Sequence, residues 1–90
     1  MSQNNAFSIK STIELQFNTT QIRDISYKSF LPEFNKLQTK RSEVFMKKKN
    51  DYSIIFKINS SDITAFRASI NEIISFGKVI ANSLKIVDNS

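Results

Sequence analysis

The chain has no cysteine, histidine or tryptophan, and only one glycine and one proline among its 90 residues. Without cysteine it can form neither disulfides nor thiolate metal sites. Without histidine it lacks the usual metal ligand, general base and triad partner. Eight carboxylates remain, and no local spacing brings two of them together for acid–base work. A single glycine, Gly77, rules out a glycine-rich phosphate loop. No apolar run approaches the length of a membrane span, and Met1–Ala6 is polar, unlike a secretory leader. The expectation is a soluble, non-enzymatic protein of a reducing, cytoplasmic setting, with no cofactor and no metal.

What the chain does contain is long regular elements. Ninety residues make one domain, 1–90, near the lower end of what folds on a single core without staples. From Phe7 to Phe17, the apolar residues Phe7, Ile9, Ile13, Leu15 and Phe17 alternate with polar ones. Only Ser11 breaks the row. That is a strand with one wet face, over 7–17. Asn18, Thr19 and Thr20 offer cap oxygens to a helix over 19–31 that buries Ile22, Ile25 and Phe30. Pro32 disfavours helical geometry at Leu31 and is expected to close that helix. Strands over 41–48 and 52–58 follow, joined at Lys49-Asn50-Asp51, where Asn and Asp tolerate the backbone of a tight turn. Val44 and Met46 point inward with Tyr52, Ile54, Phe56 and Ile58. Phe45 and Ile55 point outward.

Ser60, Ser61 and Asp62 cap a final helix, expected over 61–87. Ile63, Phe66, Ile70, Ile73, Gly77, Ile80, Leu84 and Val87 keep an unbroken three–four spacing along it. At 100° per residue, Ala65, Ala68, Phe76, Val79 and Ile86 gather on a second sector. One small core covers only one of these faces, so the second set forms the candidate partner interface. Gly77 lies in the main apolar row, where a missing side chain points to close approach of another backbone.

The fold class that follows is α+β, in the order β-α-β-β-α. A right-handed first crossover places the third strand between the other two, giving an antiparallel sheet of order one-three-two with both helices on one face. This is a ferredoxin-like arrangement without its last strand. The free edge of the first strand invites pairing with a second chain.

The net charge of +5 is local. Lys36, Lys40, Arg41, Lys47, Lys48 and Lys49, set against Glu43 alone, carry all of it, and the rest of the chain is neutral. Such a cluster at a hairpin is the footprint of a phosphate backbone. Lys40, Arg41, Lys47, Lys48 and Lys49 are therefore the candidate RNA contacts. Phe45 is the lone aromatic on that outward face, so there is no stacking platform.

Three patches carry a resemblance to a known family. They are Leu31-Pro32-Glu33, Arg41-Ser42-Glu43-Val44, and Asp62 to Asn71 with its Arg67-Ala68-Ser69-Ile70-Asn71. In length, element order and these motifs the chain resembles the small Pcc-type subunit of the KEOPS complex, related to the CTAG/LAGE antigen family. The family often continues its motif with Asn-Ser and a basic residue one turn later. This chain has Asn71-Glu72 and then Ile74-Ser75, so it is similar to the usual subunit or to a divergent paralogue. The resemblance implies a non-catalytic subunit with Arg67, Ala68 and Asn71 as motif residues. It would dock its helices on the threonylcarbamoyl-transferring ATPase subunit and dimerise with itself or a paralogue. The assembly modifies tRNAs that read ANN codons, with weak tRNA contact by this subunit and no membrane. The other reading is a free-standing small RNA-binding α+β module.

Overall fold

The computed structural model describes residues 9–80 and the strand at 83–87. The elements are β1 (Ile9–Gln16), α1 (Thr20–Lys36), β2 (Ser42–Asn50), β3 (Ser53–Ser60), α2 (Ile63–Ile80) and β4 (Ser83–Val87). All pairings are antiparallel, in the order β2-β3-β1-β4. The first three strands thus take the expected one-three-two order, and both helices pack on one face. Phe7, at the expected start of the first strand, lies outside the described residues.

Period-two alternation builds the core. Ile13 and Leu15 of β1, with Phe17 just beyond it, face the helices beside Val44, Ile54, Phe56 and Ile58. Phe30 of α1 and Ile73 of α2 close over them. Each such side chain contributes about 2 kcal/mol when taken out of water. Ser11, the break in the row, is buried too. Behind it Ser42, Ser60 and Ser69 form a buried hydroxyl chain. Ser60 Oγ donates to Ser42 Oγ at 2.8 Å, and Ser42 Oγ lies 3.0 Å from Ser69 Oγ. These small side chains tie α2 to β2 and β3, and they satisfy one another where an isolated hydroxyl would be penalised.

Several expectations are corrected. The last helix ends at Ile80, and Ser83–Val87 turns back as β4 to pair with β1 from Thr12↔Val87 to Gln16↔Ser83. Leu84 and Ile86 then stand opposite Leu15 and Ile13, a period-two fit that also satisfies the edge of β1. The β1 edge expected to pair with a second chain is therefore covered by β4 within the chain. Second, α1 does not stop at Pro32 but runs through it to Lys36. Pro32 is exposed, so the carbonyl it leaves without an N–H can be hydrated. Phe34 and Leu37, packed against the core, hold the extra turn.

Third, α1 is rotated from the expected setting. Arg23, Ser26 and Phe30 face inward, whereas Ile22 and Ile25 are exposed. Fourth, Tyr52 lies in the hairpin turn and is exposed. Its N–H donates to Asn50 Oδ1 at 2.9 Å, the local bond for which Asn favours turns. Ile63, first in the expected apolar row of α2, is likewise exposed. Gly77 is buried with negative φ, so its bare Cα serves packing and not an unusual backbone angle.

The helix caps are the expected ones. Ile22 N–H donates to Thr19 Oγ1 at 3.0 Å, and Ala65 N–H to Asp62 Oδ1 at 2.8 Å. The chain itself covers the start of the outer edge of β2, at Ser42 and Val44. The Gln38 side chain pairs with Val44 as another strand would, its Nε2 donating to the carbonyl at 2.7 Å and its Oε1 accepting from the N–H at 3.1 Å. The Ser42 carbonyl accepts from Thr39 N–H at 3.0 Å. Gln38→Ala should remove both bonds to Val44 and lower stability by about 1 kcal/mol. The check is the urea midpoint, with Gln38→Asn, one methylene shorter, failing to restore it. An unchanged midpoint would mean that water replaces the side chain without loss.

Candidate docking surface and the basic hairpin

The helix layer carries apolar groups that the core does not use. On α1 these are Ile22, Ile25 (60% exposed) and Leu31, and on α2 they are Ile63 and Val79 (82% exposed). Spacing alone places Ile22 and Ile25 in the core. They are exposed because the one helix setting that inserts Phe30 also turns them outward. Of the candidate interface residues, Val79 and Ala68 are exposed, while Ala65 and Phe76 are half-buried. Phe76 stacks at a tilt on Phe30, with ring centroids 4.3 Å apart, so part of it belongs to the core boundary. Ile86 lies on β4, opposite Ile13 in register, away from the helix to which it was assigned. The structure thus separates Ile86 from the other four.

Between the end of α1 and the start of α2 runs a groove of about 380 Å³. Leu37, Thr39, Ala65, Ala68, Asn71 and Glu72 line it, and the buried Ser42–Ser69 pair forms its floor. Two motif residues, Ala68 and Asn71, are therefore on its wall. The small side chains at 65, 68 and 69 make the groove: at these positions α2 presents little more than its backbone. Arg67 is exposed. No group of residues that could hold a metal ion occurs among those described.

The basic cluster does not form one surface. Successive strand residues point to opposite faces, and the lysines of β2 follow that rule. Lys48 reaches the helix side, 3.0 Å from Asp24 Oδ1 and 5.2 Å from the centre of the Tyr27 ring. Lys49 reaches the outer sheet face, 3.0 Å from Glu14 Oε1. Arg41 pairs with Asp62 at 3.3 Å. Lys40 and Lys47 are exposed, with no ion pair among the described residues. Three of the five candidate RNA contacts are thus bound to carboxylates.

Arg23 completes the hairpin anchor. Its guanidinium donates to Asp24 Oδ1 at 2.6 Å and to the Asn50 carbonyl, tying the strand turn to α1. Burial of this arginine is tolerated because it is paired.

Both anchoring carboxyls are held below their ordinary values. For Asp24 the main cause is the hydrogen bond from Lys48, then that from Arg23. For Glu14, only 4% exposed, the hydrogen bond from Lys49 outweighs the opposing effect of burial. A lowered folded-state pKa stabilises above the unfolded-state value, and the gain is lost as pH falls through the folded one. The melting temperature should therefore fall with acidification below the ordinary carboxyl values of 4.5 and 3.8. The Glu14→Gln/Asp24→Asn double variant should show a shallower fall. Equal acid slopes for wild type and variant, followed by circular dichroism, would contradict this assignment.

No helix among the described residues is long and apolar enough to cross a membrane. Comparison with individually curated proteins finds no match. The model of the family described as transcription factor Pcc1 matches residues 10–85, from the start of β1 into β4. It covers the exposed helix faces, the groove and the hairpin alike. This chain therefore belongs to the Pcc1 family, a family of non-catalytic KEOPS subunits.

Proposed function

We propose that this chain is a non-catalytic scaffold subunit of a KEOPS assembly. In this role its helix layer docks the threonylcarbamoyl-transferring subunit, and the chain pairs with itself or with a paralogue to join two catalytic arms. It thereby supports N6-threonylcarbamoyladenosine modification of tRNA in the cytoplasm. The observation that carries the reading is the set of apolar side chains left uncovered on both helices, Ile22 and Ile25 on α1 and Val79 on α2. A 90-residue chain that turns such groups outward gains nothing from them alone. Against another helix pair they bury area in the way ridges and grooves allow.

The groove floored by serine suits the same docking, since small residues admit a partner side chain. Direct contact with tRNA by this subunit is weak in this reading, because Lys48, Lys49 and Arg41 are engaged with carboxylates. Of the five, Lys40 is left for the phosphate backbone, since Lys47 flanks the depression on the outer sheet face. A free-standing RNA-binding module fits less well. The outward positions of the central strands, Lys10, Thr12, Glu14 and Gln16 on β1 and Ser53, Ile55, Lys57 and Asn59 on β3, offer no aromatic on which bases could stack.

The test is a docking variant on the helix layer. Ile25→Asp/Val79→Asp should leave the circular dichroism spectrum and melting curve close to wild type, because both side chains are exposed. It should abolish co-elution with the catalytic subunit, since enclosing two carboxylates in an apolar interface costs several kcal/mol. Wild-type co-elution should survive high salt, which strips phosphate contacts but not apolar docking. A folded double variant that still co-elutes would reject the docking surface. Light scattering of the chain alone, and mixed with a paralogue, decides which of the two forms the pair.

A further inference from the structure

The outer face of the sheet, opposite the helices, carries a patch that the scaffold role does not use. Cross-strand pairs Phe45↔Lys57 and Lys47↔Ile55 stand next to each other in the β2–β3 ladder. Adjacent rows of a ladder thus place the two apolar side chains on one diagonal and the two lysines on the other. Phe45 is 52% exposed, and Ile55 half-buried. They border a shallow depression of about 350 Å³, flanked by Lys47 and Lys57. Neither lysine has an ion pair among the described residues, whereas Lys49 on the same face is taken by Glu14.

We infer that this patch is a docking site for a short acidic segment of another protein, one that inserts a large apolar side chain between Phe45 and Ile55 and sets carboxylates on Lys47 and Lys57. Charge selects this occupant. A second copy would bring the same lysines against one another. A nucleic acid would find one aromatic there, where base stacking needs successive ones. An extended segment presents same-face side chains at every second residue. The fitting pattern is therefore an apolar residue with an acidic one two positions to either side. Strand addition at the start of β2 is barred, because Gln38 and Thr39 already occupy that edge at Val44 and Ser42. The contact is made by side chains across the sheet face.

The site is separate from the helix layer, so its test is independent of the scaffold role. The probe is a fluorescein-labelled nonapeptide with a central phenylalanine, glutamates two residues to either side, and serine elsewhere. Its binding to the full chain is read by fluorescence anisotropy. Replacing the probe's phenylalanine by alanine, or its glutamates by glutamines, should each weaken binding about tenfold or more. Phe45→Ser and Lys47→Glu/Lys57→Glu should do the same while keeping the wild-type melting curve, since these side chains are at the surface. Ile25→Asp/Val79→Asp should bind the probe as wild type does. No binding by wild type, binding indifferent to Phe45→Ser, or tighter binding of a labelled oligouridylate than of the peptide would each overturn the inference.

Discussion

Phe30 is the contact on which the rest of the arrangement depends. Its ring meets Phe56 of β3 edge-on at 5.4 Å and Phe76 of α2 at 4.3 Å, so one side chain joins α1, the sheet and α2. Aromatic pairs of this kind add to the burial of their area. Phe30 is also the one fully buried apolar side chain of α1, and so it sets the rotation of that helix. A helix has a single rotational setting. Once Phe30 is in, Arg23 and Ser26 must follow it inward, and Ile22 and Ile25 must face out. The exposed apolar surface of α1 is therefore a consequence of core packing, not a loose end.

This coupling explains what could be read from the amino-acid sequence and what could not. Strand alternation is written one residue at a time, so the inward rows of β1 and β3 and the outward placement of Phe45 and Ile55 were legible. Both helix caps were legible too, because a cap needs only the local oxygen of Thr19 or Asp62. The rotation of α1 was not. Ile22/Ile25 and Phe30/Phe34 form competing apolar sectors at equally good spacing, and the packing of Phe30 on Phe56 and Phe76 decides between them. Ser83–Val87 was ambiguous for a similar reason. Leu84 and Val87 continue the three–four row of α2, while Leu84 and Ile86 fit an alternation of two. The decision comes from β1, whose backbone groups need a partner far away in sequence. Of the interface set, Val79 was legible as an exposed apolar residue, whereas Ile22 and Ile25 were missed with the helix rotation.

Charge follows the same logic of alternation. Lys47, Lys48 and Lys49 are adjacent in sequence but cannot act together, because β2 sends Lys48 toward α1 and Lys49 toward Glu14. Counting charge along the chain overstates the field at any one surface. The paired lysines hold the hairpin to the helix layer and to the sheet, and exposed pairs of this kind contribute little singly. Lys48 gains by sharing Asp24 with Arg23 in one network, and Lys49 by facing the buried Glu14.

A domain this small has one interior, and its two layers necessarily have two outward faces. The helix layer presents aliphatic groups around a groove of small residues, with Lys36 and Glu72, charges of opposite sign, on its walls. The outer sheet face presents lysines alternating with Phe45 and Ile55. Surfaces so different in chemistry do not compete for one partner. Aliphatic ridges bind whatever is shaped to them and are insensitive to salt, whereas a lysine-flanked depression discriminates by charge. Within the sheet β4 covers the edge of β1, and Gln38 and Thr39 occupy the edge of β2 at Val44 and Ser42, which narrows the backbone route by which identical chains most readily associate. Association through the two faces differs from strand pairing, because there side chains rather than backbone choose the partner.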